Sequence, residues 1–226
     1  MRGLRAIASL VALILLSSAA YASCAKDQEA ERVRTFVNQG FIHGVPSSEA
    51  KQFNSDRDIE TLVCQLRDPE ESLYWSNIIT VLGMRGNSKA TDPLINFINN
   101  GDGTISEEAY GAKTAALMAL GYLAPVDEKA MAYLRASADP EVWQRRGMKW
   151  STPYGLSAED RNSELSKHAI LGLGVSGDPK AANFLLTLRR GARVRLSSDF
   201  NDVITEALKT NEDIQRKGTS SPDERP

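Results

Sequence analysis

The chain has 226 residues, of which 42% are hydrophobic and 25% are charged, and its formal net charge is −2. This length suits one large domain or a short array of repeats, and the hydrophobic content is ordinary for a globular protein. A mildly acidic chain is poorly suited to holding the phosphates of a nucleic acid, so we expect no nucleic-acid partner.

Residues 1–22 have the pattern of a secretory signal peptide. Arg2 and Arg5 form a positively charged start, residues 7–16 are almost entirely apolar, and residues 20–22 (Ala-Tyr-Ala) supply small residues where a signal peptidase reads. The apolar run is too short to span a membrane, and no later segment approaches 18 apolar residues, so we expect no membrane span. Without this segment, 25 basic residues stand against 29 acidic ones, a net charge of −4. The mature protein is therefore expected to be exported, as a periplasmic or secreted protein.

The two cysteines leave two alternatives open for the new N-terminus. Cleavage after Ala22 would leave Cys24 and Cys64 as an even pair in an oxidising compartment, which predicts one disulfide between the N-terminal tail and a later helix. Residues 21–24 (Tyr-Ala-Ser-Cys) also resemble a lipobox, in which case Cys24 would carry a lipid anchor and Cys64 would stay a buried thiol. Tyr21 stands where that motif has an aliphatic residue. One sulfur cannot serve both purposes.

Apolar residues at three- and four-residue spacing predict helices along most of the remaining chain. The N-terminal segment, residues 23–46, holds one helix. The predicted helices lie at 27–39, from 47 to 53, after Ser55 to residue 66, at 73–82, 90–98, 107–123, 128–136, 163–175, 180–190 and 200–211. No segment has the strict alternation of a half-buried strand. Residues 215–226 are polar and contain Gly, Ser and Pro, which predicts a disordered tail.

An internal repeat organises the helices. Residues 82–94 (LGMRGNSKATDPL) return at residues 173–185 as LGVSGDPKAANFL, and a partial copy begins at Leu120. Asp-Pro-Glu precedes the first helix at Asp68 and again at Asp139, where Asp can cap and Pro fits the first helical position. We expect the glycines of the motif, Gly83 and Gly86 in the first copy, to serve the turn between paired helices. Helix pairs at such a period predict a short α-solenoid over residues 47–214.

These residues resemble a known family, the HEAT-like repeats, especially the short variety first named from phycobilisome lyases. Its pattern has Asp-Pro before the first helix, Ala-Leu-Gly at the end of that helix, Gly-Asp in the turn, then Ala and Leu on the return helix. The copies at 68–98 and 139–188 resemble it well, the middle copy is partial, and residues 47–67 and 199–214 fit as degenerate caps. The resemblance implies an all-α fold and a habit of binding proteins, and it implies no catalytic residue.

The second full copy contains about 20 residues that the first lacks. This insert covers residues 142–162 approximately, and repeat folds accept insertions on one face, often the binding face. Trp and Arg are the residue types enriched at interface hot spots, so we predict partner contacts here. In the alternative, the aromatic side chains fold back to seal a gap between units. The candidate residues are Trp143, Arg145, Arg146, Lys149, Trp150 and Tyr154.

A basic patch follows the last repeat. Arg189, Arg190, Arg193 and Arg195 place four cations close together near the end of a predicted helix. They either cap the helix's carboxyl-terminal end, where positive charge opposes the helix dipole, or bind an anionic partner such as phosphate headgroups or an acidic peptide.

No catalytic residue, metal site or cofactor is predicted. Residues 100–106 (NGDGTIS) resemble the middle of a calcium-binding loop, but Ile98 and Ala109 stand where its end ligands belong, so we interpret the segment as a turn between repeats. His43 and His168 have no His or Glu one, three or four residues after them, the spacing that would suggest a metal pair.

Two hypotheses follow for the function. In the first, the chain is an exported α-solenoid that binds another protein, as a scaffold or accessory subunit in the cell envelope. In the second, it is an enzyme or chaperone-like factor that engages a small or lipidic anionic ligand at the insert and the patch at 189–195. A lipoprotein anchored through Cys24 remains a variant of the first.

Overall fold

The computed structural model describes residues 24, 27–42, 44–84, 86–101, 103–151, 157–195 and 198–218, with the backbone alone at 192–195, 198 and 218. The predicted signal peptide lies outside these residues, as do His43, Tyr154 and residues 219–226 of the predicted tail.

Three helices form the N-terminal part: α1 (Gln28–Val37), α2 (Ser47–Ala50) and α3 (Asp56–Leu66). Helix α3 begins in a capping box, in which the Ser55 hydroxyl accepts from the Asp58 N–H and the Asp58 carboxylate accepts from the Ser55 N–H. The predicted pairing of the cysteines is present, because Cys24 forms a disulfide with Cys64 on α3. Its Cα atoms lie 5.6 Å apart.

Helices also make up most of the rest of the described chain, so the predicted all-α class is confirmed. Two strands of two residues each, which the sequence patterns did not predict, pair in parallel. The elements are a 3₁₀ helix (Pro69–Tyr74), α4 (Trp75–Met84), a 3₁₀ helix (Ser88–Ala90), α5 (Thr91–Asn99), β1 (Thr104–Ile105), α6 (Glu107–Leu123), α7 (Glu128–Ser137), α8 (Pro140–Arg146), β2 (Lys149–Trp150), α9 (Ala158–Val175), α10 (Pro179–Arg195) and α11 (Ser198–Gly218).

The first helices of successive hairpins are neighbours in space. Helix α4 packs on α6, α6 on α9, and α9 on α11. The second helices return alongside: α5 packs against α6, α7 against α6 and α9, and α10 against α11. This order of contacts follows the order of the hairpins along the chain, and their buried Leu, Ile and Ala side chains form one core.

Glycines let the first helices approach each other closely. A Cβ added at Gly83 of α4 would lie 2.7 Å from the Cα of Ala119, and one at Gly174 of α9 would lie 2.8 Å from the Cα of Ala207. A Cβ at Gly121 would overlap the Gly172 carbonyl. The expectation that Gly83 serves the turn is therefore wrong, because it lies inside α4 at a helix crossing.

The second glycine of the repeat motif does serve the turn. Gly86 and Gly177 both have a φ of 62°, in the left-handed region that side chains with a Cβ rarely adopt. The motif thus uses its two glycines for different purposes, one for a close approach between helices and one for the backbone conformation of the turn.

Three helices are longer than the sequence predicted. Helix α10 continues to Arg195 instead of ending at residue 190. Helix α9 begins at Ala158, where Ser157 and Asp160 form a second capping box. Helix α11 continues to Gly218, so residues 215–218 of the predicted disordered tail are helical. Ile214 of this extension packs against Gly177, which gives the added turn an apolar contact. Among the helices of the described ranges, none is both long and apolar enough to cross a bilayer.

Candidate functional site at the insert

The structure describes residues 142–151 and 157–162 of the insert. Its helix α8 starts at Asp139, whose side chain accepts from the Glu141 N–H, and it ends at Gly147 with a φ of 63°. The chain then runs into β2, where the Ser151 N–H donates to the Ile105 carbonyl over 2.8 Å. The insert is thereby joined to the loop between α5 and α6, and only its residues 152–156 lie outside the description.

Both tryptophans of the insert point into the protein. Trp143 has no exposed surface, and its Nε1 donates to the Ser137 carbonyl over 2.8 Å. Trp150 is 8% exposed, donates to Asn162 Oδ1 over 3.2 Å, and packs edge-on against Tyr110. This placement matches the alternative in which the aromatic side chains seal a gap between units. Their direct contact with a partner would require the insert to detach.

Arg146 is held between two aromatic rings at the surface of the insert. Its guanidinium carbon lies 4.2 Å from the centroid of the Trp143 ring and 5.2 Å from that of Tyr133. Its Nη1 donates to the Tyr133 hydroxyl over 2.8 Å. No carboxylate of the described residues forms an ion pair with Arg146. Its other guanidinium nitrogens are not among the buried side-chain atoms that lack a hydrogen bond. The site therefore presents a fixed cation with unused donors.

The neighbouring Arg145 has a different environment. Its Nη1 lies 3.2 Å from Glu141 Oε2, its Nη2 lies 3.9 Å from Asp139 Oδ2, and its side chain is 64% exposed. Lys149 is also exposed. Two adjacent arginines of α8 thus differ in kind, one solvated and paired, the other ordered and unpaired.

Tyr133 links Arg146 to the end of α5. Its hydroxyl accepts from Arg146 and donates to Asn99 Oδ1 over 2.8 Å, which leaves Asn99 Nδ2 as a donor at an exposed residue. Burial, only partly offset by Arg146, raises the pKa of Tyr133 above its usual range, so the hydroxyl keeps its proton at neutral pH.

Lys113 lies beside this group and was not predicted as a site residue. It is 2% exposed, and its Nζ donates to the carbonyls of Phe97, Ile98 and Asn100 over 2.7, 3.0 and 2.6 Å. These acceptors are the last carbonyls of α5, so the lysine caps that helix. Burial, with a further contribution from the charge of Arg146, lowers the pKa of Lys113 to about 8.

One sequence signal marks Lys113: it is the only charged residue between Glu108 and Asp127. Like Arg146, it forms no ion pair with a carboxylate of the described chain. Arg161, a buried cation nearby, differs from Arg146 and Lys113. It pairs with Glu107 and lies over the Tyr110 ring at 4.5 Å.

The predicted basic patch is only partly described. Arg189 is half-buried and lines a groove with Thr205, Leu208 and Glu212 between α10 and α11, and Arg190 is exposed. Arg193 and Arg195 lie in the last turn of α10, with their side chains outside the description. Among the described residues, α8 and β2 of the insert make their main contacts with α7, α9 and β1 rather than with α10.

The site is built from cationic and hydrogen-bonding side chains. His168 contacts the Glu164 carbonyl of its own helix through Nδ1 at 2.8 Å. Within the described residues, no group of three or more His, Cys, Asp or Glu side chains is placed to hold a metal ion. The insert end provides a guanidinium and an amide with donors left over, both held by a tyrosine hydroxyl whose own proton is already donated to Asn99. A guanidinium and an amide are groups that bind carboxylates and other anions.

Comparisons with protein-family models, with curated proteins and with solved structures gave no match for this chain.

Proposed function

We propose that this chain is an exported HEAT-like repeat protein that binds another protein of the cell envelope through the surface of its insert. The tryptophans of the insert are buried while its Arg145, Arg146 and Lys149 side chains stay at the surface, which suits binding rather than packing alone. One observation carries the proposal: Arg146 is immobilised between Trp143 and Tyr133 but has no carboxylate partner within the described chain.

The fold part of the proposal has its own support. Successive first helices contact each other in chain order, and small residues lie at three of their crossings. Repeat proteins bury their apolar faces in this way, each unit against its neighbours. The resemblance of residues 68–98 and 139–188 to HEAT-like repeats adds a habit of protein binding.

The export part of the proposal is supported by the apolar leader and by the disulfide, since disulfides persist in oxidising compartments. Mass spectrometry of the mature protein tests it. We expect a chain that starts at Ser23, with Cys24 joined to Cys64. A lipid-modified Cys24 at the first position would instead establish the lipoprotein alternative.

Binding is tested by affinity capture from envelope extract with three forms of the mature protein. The first is the wild type, the second carries Arg146→Ala with Lys149→Ala, and the third carries Arg189→Ala with Arg190→Ala. We expect a protein that wild type and the third form retain and the second form loses. That protein, once purified, must bind wild type directly.

The outcomes separate the candidate surfaces. If the second and third forms recover the same proteins as wild type, the insert is not the interface. If only the third form loses its partner, the interface lies at the basic patch, and the role assigned to the insert is wrong. Thermal unfolding of all three forms shows whether a lost partner reflects a lost surface or a lost fold.

A further inference from the structure

Arg146 and Lys113 are two cations without an ion-pair partner among the described residues. They lie on adjoining hydrogen bonds: Arg146 bonds to Tyr133, which bonds to Asn99, and Lys113 bonds to the carbonyl of the next residue, Asn100. Placing like charges together at a partly buried site costs stability unless an opposite charge compensates them. Other cations of this end, Arg145 and Arg161, each have a carboxylate partner.

The donors of the two cations are not equally available. Lys113 has three N–H groups, and three carbonyls accept them, so the lysine contributes charge but no further hydrogen bond. Arg146 uses one nitrogen for Tyr133 and keeps the others. An incoming group therefore meets one planar guanidinium fork, with the Asn99 amide held nearby by the same tyrosine.

We infer that the partner docks an acidic side chain, Asp or Glu, onto Arg146, with Asn99 as an additional donor and Lys113 as the charge behind it. This inference rests on the proposed binding function and names the chemistry of the partner. A carboxylate matches a single planar fork, because its two oxygens accept the two parallel N–H bonds that a guanidinium presents.

Two observations favour an acidic peptide over a membrane surface. Only one guanidinium at this site has donors left and Lys113 has none to share, so the site suits a single carboxylate rather than the many headgroups of a bilayer. The mature chain predicted from the sequence has a net charge of −4, which opposes adsorption to an anionic bilayer. The rings of Trp143 and Tyr133 lie against the Arg146 guanidinium.

The test measures binding of fluorescently labelled hexaglutamate to the mature protein, with hexaglutamine as the uncharged control. Arg146→Gln is expected to weaken hexaglutamate binding by about tenfold, since one charge-assisted bidentate contact is lost. Arg146→Lys keeps the charge but loses the planar pair of N–H donors, so its affinity for hexaglutamate is expected to fall between those of the wild type and Arg146→Gln. Arg145→Gln is the matched control, one residue away on the same helix, and is expected to change affinity by less than about twofold.

Tyr133→Phe tests the positioning part of the inference. This change removes the hydroxyl that holds Arg146 and orients Asn99 while leaving the aromatic ring in place. Weaker hexaglutamate binding with an unchanged thermal midpoint is the expected result. An unchanged affinity in Tyr133→Phe would remove Tyr133 and Asn99 from the site.

Any one of the following outcomes would overturn the inference. Equal losses of affinity in Arg145→Gln and Arg146→Gln would indicate general charge attraction. A second outcome is that hexaglutamine binds as tightly as hexaglutamate, or that hexaglutamate does not bind. The last is tighter, Arg146-dependent binding of inorganic phosphate or of phosphatidylglycerol vesicles. If hexaglutamate fails while capture of a partner still depends on the insert, only this inference falls. If both fail, the proposed function falls with it.

Discussion

The two ends of the first helices of the hairpins are built from opposite kinds of residue. Near the carboxyl-terminal ends of α4, α6 and α9, glycines let the helices approach so closely that an added Cβ would overlap the neighbouring helix. At the amino-terminal ends of α6 and α9, long charged side chains, Lys113 and Arg161, are buried among rings and carbonyls. The first arrangement is what stacking needs. The second is not required for stacking, and this difference is the reason to place recognition at the insert end.

The largest expected effect tests whether the insert end is also structural. Trp143→Ala removes a fully buried side chain and its bond to the Ser137 carbonyl, and is expected to lower the free energy of unfolding by about 3–5 kcal/mol. Urea denaturation measures it. Trp143→Phe, which keeps a ring under Arg146, should lose clearly less. A loss below about 1 kcal/mol in Trp143→Ala would mean that the insert does not contribute to the core.

An intermediate effect tests the glycine end. Gly121→Ala places a Cβ against the Gly172 carbonyl of the neighbouring helix, and overpacking of this kind costs about 1–3 kcal/mol. Gly111→Ala is the matched control in the same helix α6, because its added Cβ meets nothing within 4 Å. The control should gain up to about 1 kcal/mol from helix propensity. Thermal and urea unfolding measure both variants. If the stabilities of the two variants change in the same direction, the close crossing at Gly121 is contradicted.

The smallest effect, taken over one pH unit, concerns the pH dependence at Lys113. Its pKa is about 8 in the folded chain against 10.5 ordinarily, so between these values the unfolded chain binds more protons. The contribution of Lys113 to stability therefore rises with pH from about 8 to 10.5, by at most about 1.4 kcal/mol per pH unit, and is constant below pH 8. Denaturation of wild type and Lys113→Met at several pH values isolates this contribution. A difference that decreases above pH 8 would indicate that the carbonyls stabilise the charged amine more than burial disfavours it.

Local patterns predicted most of the fold. Asp68 and Asp139 cap helices as expected, because Asp-Pro-Glu encodes a helix start within three residues. The two cysteines predicted either a disulfide or a lipidated Cys24, and the structure has the disulfide between Cys24 and Cys64. Hairpin order also followed, since helical periodicity and turn glycines are both local signals.

Tertiary contacts account for what the sequence could not predict. Gly83 looks like a turn glycine, and only the approach of α6 reveals the crossing. Lys113, Tyr133 and Asn99 lie on three different helices, so no spacing along the chain connects them. The sequence predicted an insert at about 142–162, but the direction of its tryptophans depends on a gap that exists only once α7 and α9 are packed. The pairing of β1 with β2 has the same origin.

The disulfide has a consequence for how the chain responds to cutting. Cys24 and Cys64 are 40 residues apart and enclose α1, α2 and most of α3. A protease that cleaves once anywhere between them leaves two fragments that remain one covalent molecule. Digestion would therefore be invisible on a gel run without reductant and would release an N-terminal fragment only after reduction. Helix α1 is therefore tethered to α3 by the disulfide, and a single cleavage does not free it to dissociate.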